Sequence, residues 1–175
     1  MKRLNGTSDV ETYRAVHRLT SCFRCLKRVE ADNGRGLGRL EKEEGFLRYV
    51  RNELIVSFWD SWVEFGSHFF EFDWCFGGRI VDYFRHGTEA ESPKLLSKPA
   101  LEKLLVNISS ALDYLHEAET NMVHGGVTTY SIFVDFKFSS RHYRLAHQSQ
   151  TNMDEAVHIL YRVGRFLLVM YSYIA

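Results

Sequence analysis

The chain has 175 residues, 45% apolar and 14% aromatic, and its 22 basic side chains are balanced by 22 acidic ones. A zero formal charge with no basic stripe argues against a nucleic-acid binder, and thirteen Phe, nine Tyr and three Trp argue against a disordered chain. The size suits one globular domain, or two small lobes, with a real core.

Residues 10–18 (VETYRAVHR) and 22–29 (CFRCLKRV) read as two strands joined by a short turn at Leu19–Ser21. Cys22-x-x-Cys25 has the spacing of half a zinc ribbon, but no second pair follows. On a strand, residues three apart face opposite ways, so the pair reads as two free thiols and no metal site is expected. Three cysteines and no signal-peptide pattern lead us to expect a reducing, intracellular, cytoplasmic setting.

The next stretch, EADNGRGLGRL, holds Gly34, Gly36 and Gly38, but Arg39 stands where a GxGxxG fingerprint needs its third glycine. It reads as a connector. Residues 39–53 (RLEKEEGFLRYVRNE) form an amphipathic helix with Leu40, Phe46, Leu47 and Val50 on one face. Two aromatic-rich strands follow, 54–65 and 68–76, turned by Gly66-Ser67. Gly77-Gly78 breaks the pattern before a short helix, RIVDYF, and a polar loop carrying both prolines. Ser97 is placed to cap a helix over 98–119, whose Leu101, Leu104, Leu105, Ile108, Leu112 and Leu115 recur at helical spacing. After it come MVHGGVTTYSIFVD (122–135), a short strand pair around IFVDF and YRLAH, and a terminal helix from about Asp154. The last ten residues, FLLVMYSYIA, are too few to span a bilayer, so no membrane span is expected. The order is strands, helix, strands, then mostly helix: an α+β arrangement of two lobes meeting near Gly77.

Several of these stretches, in this order, resemble landmarks of a eukaryotic protein kinase domain. RCLK resembles the strand whose lysine, here Lys27, holds the nucleotide's phosphates, and Glu43, twelve residues before Ile55-Val56, resembles its helix partner in a structural ion pair. EFDWCFGG resembles the hinge, with Phe72 as gatekeeper and Asp73 and Cys75 offering backbone groups to adenine. SSALDYLHEAETNMVH is similar to the helix leading into the catalytic loop, and HILYRVGRFLLVMYS to the central helix of the large lobe. IVSFWDSWVE and the long loop after His116 resemble the with-no-lysine kinases and the nuclear receptor-binding protein pseudokinases, while W-C-x-G-G is in the style of Wee-type kinases.

The resemblance implies a two-lobe fold, with a small β-rich lobe and hinge over 1–76 and a partial helical lobe over 77–175 that stops within its central helix. It also exposes losses. His124 is kept, but Gly126 stands where the family has the aspartate that takes the substrate's proton, Ser131 where an asparagine holds metal, and His147 where the Mg²⁺-binding aspartate belongs. Asn5, Thr7 and Val10 fall at the three glycine positions of the phosphate-covering loop, and Cys25 replaces a small alanine. Asp135, nine residues past Gly126, reads as structural. Three readings stay open: a pseudokinase serving as an interaction or regulatory module, a diverged Ser/Thr kinase with residual ATP binding, or a kinase fragment without function. The first implies no required cofactor, ATP held weakly without Mg²⁺, and a protein partner such as a related active kinase. The terminal helix, apolar on nearly every face, adds an expectation that a partner or self-association covers it.

Overall fold

In a computed structural model, the structure describes residues 1–6, 10–30, 37–85, 97–117, 124, 126–137 and 140–146. The chain divides into two compact units, Met1–Arg51 with Val56–Trp74, and Asn52–Ile55 with Cys75–Ala175.

The first unit is a five-stranded antiparallel sheet in the order β1-β2-β3-β5-β4. Its strands are β1 (Lys2–Gly6), β2 (Val10–Val16), β3 (Phe23–Glu30), β4 (Phe58–Glu64) and β5 (Ser67–Asp73). One helix, α1 (Leu37–Tyr49), lies between β3 and β4 in sequence. Leu40 and Leu47, seven residues apart on α1, bury against Phe58 of β4 and Phe70 of β5, with Val29 and Phe72 at the margin. Burying those four large side chains contributes about 6–12 kcal/mol, an upper figure because the unfolded chain already hides some of that area.

The expected elements that fall among the described residues are present with shifted ends. The helix starts at Leu37, so Gly38 is helical rather than part of a connector, and it stops at Tyr49 rather than Glu53. Asn52 accounts for the stop: its side-chain oxygen accepts the Leu54 N–H at 2.8 Å and its carbonyl accepts the Ile55 N–H at 3.1 Å, a local turn that competes with the helix. The β4–β5 turn is made by Phe65 (φ 49°) and Gly66 (φ 72°) rather than by Gly66-Ser67. Two successive positive φ values match the hairpin turn that follows strand twist, and Ser67 then pairs with Glu64. β1 was not expected at all. Its KRLNG lacks apolar alternation, and its register slips between Arg3 and Asn5.

The second unit contains α2 (Ile80–Arg85), α3 (Lys98–His116) and a hairpin of β6 (Ile132–Lys137) with β7 (Ser140–Leu145). α3 has Ser97 at its N-cap and Pro99 in its first turn, though the Ser97 side chain makes no capping bond. It buries Leu101, Leu104, Ile108, Ala111 and Leu115 on one stripe and packs on β7. Asn107 shares that stripe and reaches the Tyr143 carbonyl at 3.5 Å. The expected terminal helix from Asp154, together with His147 and the apolar end, lies outside the described residues.

Candidate functional site

In the first unit, β3 runs between β2 and β5, and register sets Lys27 beside Thr12 and Phe70. Its ammonium lies 3.0 Å from Glu43 Oε1 on α1 and 5.5 Å above the Phe70 ring. The Glu43 side chain is only 9% exposed, so that carboxylate depends on Lys27 for compensation. Two residues before Lys27, the half-buried Cys25 faces Phe72 across the ladder. Burial pushes its thiol up to about 11, so it stays protonated at neutral pH and is no nucleophile. Phe72 meets the edge of Phe58 at 5.8 Å. Asp73 is committed inside the unit: its N–H donates to the Ser57 carbonyl at 2.9 Å, and its carboxylate accepts the Trp59 indole N–H at 2.6 Å.

In the second unit, Cys75 is 5% exposed and its carbonyl accepts the Gly78 N–H at 3.1 Å. The glycines that follow are stitched to β6. Gly77 N–H donates to the Val134 carbonyl at 2.9 Å, and Val134 N–H donates to the Gly78 carbonyl at 2.8 Å. A Cβ at 77 would meet Val134 O at 2.6 Å, so only glycine allows this approach.

The loop from His124 to Ser131 closes on itself. His124 is fully buried; its Nδ1 accepts the Gly126 N–H at 3.2 Å, which leaves the proton on Nε2, 2.5 Å from the Ala146 carbonyl. Burial holds this imidazole below the ordinary histidine range, so the neutral form is favoured. Ser131 Oγ accepts the Thr128 N–H at 2.9 Å and points its proton at the Gly126 and Thr128 carbonyls, both at 3.0 Å. Its hydroxyl is thereby used by the loop. Gly126 brings no side chain, and a neutral hydroxyl brings no charge, so these two positions supply neither a base nor an anionic oxygen ligand.

Asp135 is equally committed. It is 5% exposed, accepts the Phe136 N–H at 2.9 Å, and pairs with Arg144 at 3.2 Å. Arg144, 1% exposed, also donates to the Ile55 carbonyl at 2.8 Å. Sequence reading did not single out Arg144. Nothing in YRLAH marks an arginine for full burial; only the pairing of β6 with β7, which sets Phe133 across from Arg144, brings it to Asp135. His147 lies outside the described residues. Among the described residues, no group of three or more His, Cys, Asp or Glu is placed to hold a metal ion, and no helix is long and apolar enough to cross a membrane.

A sheet of this order carrying one helix, with a β3 lysine paired to a helix glutamate, is compatible with the small lobe of a protein kinase. The class these features outline is a protein kinase-like chain. Comparison with known proteins agrees at low identity. The chain is similar to Wee1-like protein kinase 2 of Homo sapiens, 23% identical over 161 residues that cover 87% of this chain and 27% of that protein. It is also similar to the Wee1-like protein kinase 2 of Danio rerio, 26% identical over 70% of this chain and 23% of that one, and of Mus musculus, 27% over 71% and 22%. The chain thus spans about a quarter of the length of these relatives. No protein-family model matches it.

Proposed function

We propose that this chain is a catalytically impaired protein kinase-like domain, with a small lobe over 1–76 and a partial large lobe over 77–175, that acts inside the cell as a protein-interaction or regulatory module. The observation that carries this reading is the loop at Gly126–Ser131, where the side chain of one position is absent and that of the other is consumed by backbone. Phosphoryl transfer is almost wholly positioning and charge neutralisation, and it needs acidic oxygens to hold Mg²⁺ on the triphosphate. Lys27, held by Glu43, remains as a phosphate contact. Nucleotide is therefore bound weakly and without Mg²⁺. The partner is a protein, with a related active kinase as the natural class.

A second reading, a diverged Ser/Thr kinase, is favoured only by the paired Lys27 and Glu43. One pair of assays separates the two. Incubation with radiolabelled ATP and either Mg²⁺ or Mn²⁺ is expected to label neither the chain nor a generic substrate. Any melting shift with ATP is expected to be the same with and without Mg²⁺. Labelling that disappears in Lys27→Met, or a shift that requires Mg²⁺, would overturn the proposal.

A further inference from the structure

The first unit has a basic β2–β3 turn end and an acidic β4–β5 hairpin; the β2–β3 hairpin carries its acids, Glu11 and Glu30, only at its open end, where both pair with Arg28. Residues 12–29 hold Arg14, Arg18, Arg24, Lys27 and Arg28 and no acid, whereas residues 56–74 hold Asp60, Glu64, Glu71 and Asp73 and no Lys or Arg. Part of this charge is used within the sheet: Arg24 pairs with Glu71 at 2.9 Å, Lys27 with Glu43 at 3.0 Å and Arg28 with Glu11 at 2.8 Å. Asp73 accepts the Trp59 indole N–H, and four groups are left over. Arg14 and Arg18 on the β2–β3 hairpin, and Asp60 and Glu64 on β4, have no oppositely charged partner among the described residues.

Each unpaired set sits beside exposed apolar side chains. Next to the arginines are Val16 (54% exposed), Leu19 (92%) and Phe23 (37%), with the Arg14 guanidinium 5.2 Å over the Phe23 ring. Along the same edge strand and its tip are Trp59 (55%), Val63 (60%) and Phe65 (94%), with Val63 turned to the opposite face from Asp60 and Glu64. Phe65 also sits at a positive φ that a bulky side chain enters only at a cost, and it gains no burial there in return.

The β2–β3 turn and the Glu64–Phe65 tip cannot meet within one copy, whereas Trp59, at the start of β4, lies on the side of the β2–β3 turn, with the Arg24 guanidinium 4.3 Å over its ring. β3 pairs with β5 so that Arg24 lies across from Asp73 and Glu30 across from Ser67, which puts the β2–β3 and β4–β5 turns at opposite ends of the sheet. Among the described strands β4 is moreover an edge strand.

We propose that the basic, apolar β2–β3 turn of one copy docks on the acidic, apolar β4 edge and tip of a second copy. The contact is head to tail, so it uses two different surfaces and propagates to a ring or a chain of copies. Opposite charges select the partner surface, and the apolar side chains supply the contact area. This inference does not depend on whether the chain binds nucleotide.

The test is light scattering coupled to size-exclusion chromatography on the purified chain over a range of concentrations. The mass is expected to rise above the 20.4 kDa of one copy as concentration increases, and to fall back in high salt. Arg14→Glu with Arg18→Glu, or Asp60→Lys with Glu64→Lys, is expected to weaken association by about tenfold or more, with an unchanged melting curve showing that each variant folds. Mixing the two charge-reversed proteins is expected to restore assembly, because each then offers what the other lacks. A single-copy mass at every concentration refutes the proposal. So does assembly that survives both reversals, or folded variants that fail to recover on mixing; capture of an acidic protein from another source without self-association refutes the choice of partner.

Discussion

Replacing Gly77 by alanine puts the close approach of the Cys75–Gly78 turn to β6 to a direct test. The added methyl would lie 2.6 Å from Val134 O and 2.7 Å from Val134 Cβ and Cγ1. That is roughly 1 Å inside ordinary van der Waals contact. Two backbones must therefore separate, and the 2.9 Å and 2.8 Å hydrogen bonds that join them lengthen together. Val134 is 2% exposed and cannot swing aside. Overpacking costs about 1–3 kcal/mol and a weakened buried hydrogen bond about 1 kcal/mol more, so a loss of about 2–4 kcal/mol is expected. In a chain of this size that lowers the melting temperature by roughly 5–15 °C. Val134→Ala should not rescue it, because the nearest atom is a carbonyl oxygen. Gly45→Ala is the control of opposite sign: it lies inside α1 with nothing within 4 Å of its Cβ, and alanine there should stabilise by up to about 1 kcal/mol. Thermal and guanidinium unfolding followed by circular dichroism reads both. If Gly77→Ala melts at or above the parent temperature, the stitched turn is not as described.

Lys27→Met leaves the nearly buried Glu43 carboxylate unpaired and should cost about 1–3 kcal/mol in denaturant titrations; adding Glu43→Gln should cost less than the sum of the single changes. Arg144→Met strands Asp135 and removes the donor to the Ile55 carbonyl, for an expected loss of about 3–5 kcal/mol, and Asp135→Asn in the same chain should recover part of it. His124 is held below its ordinary pKa by burial, so below about pH 6.5 the unfolded chain takes up a proton that the folded chain refuses. Stability is full above that pH and falls toward acid by up to about 1.4 kcal/mol per unit, until the folded imidazole itself titrates. His124→Gln keeps an N–H for the Ala146 carbonyl and should flatten the slope; an unchanged slope between pH 5 and 7 would assign the effect elsewhere.

What could be read from the sequence was what a short window holds. The Leu101–Leu115 stripe predicted α3 because one residue per turn faced one way, the β2–β3 hairpin followed from two strand-like runs joined by a short turn, and the β4–β5 hairpin from aromatic-rich runs broken by a turn. Lys27 and Glu43, sixteen residues apart, could be paired only because family order suggested it. No periodicity connects a strand to a helix across a Gly-rich stretch. The failures are equally physical. Phe65 at a positive φ opposes its own propensity, and only the fixed register between Glu64 and Ser67 imposes it. β1 is held by pairing with β2 and not by any pattern of its own. The sequence points to a structural Asp135, but its partner Arg144 depends on a hairpin register that composition does not encode.

The Gly126–Ser131 loop bears on which of the three functional readings to favour. A loop that had merely lost its catalytic carboxylates would be expected to keep stranded donors where those groups had been, each costing about 1–3 kcal/mol. Here His124 uses both ring nitrogens, Thr128 N–H reaches Ser131 Oγ, and the Ser131 proton has carbonyls to choose from. Among the described residues, the buried side-chain atoms without a hydrogen-bond partner include none from this loop. Serine at 131 is short enough to be satisfied by the backbone alone, and glycine at 126 asks for nothing. With its described polar groups satisfied with no metal and no substrate, the loop favours the reading of a kept interaction scaffold over a decayed fragment.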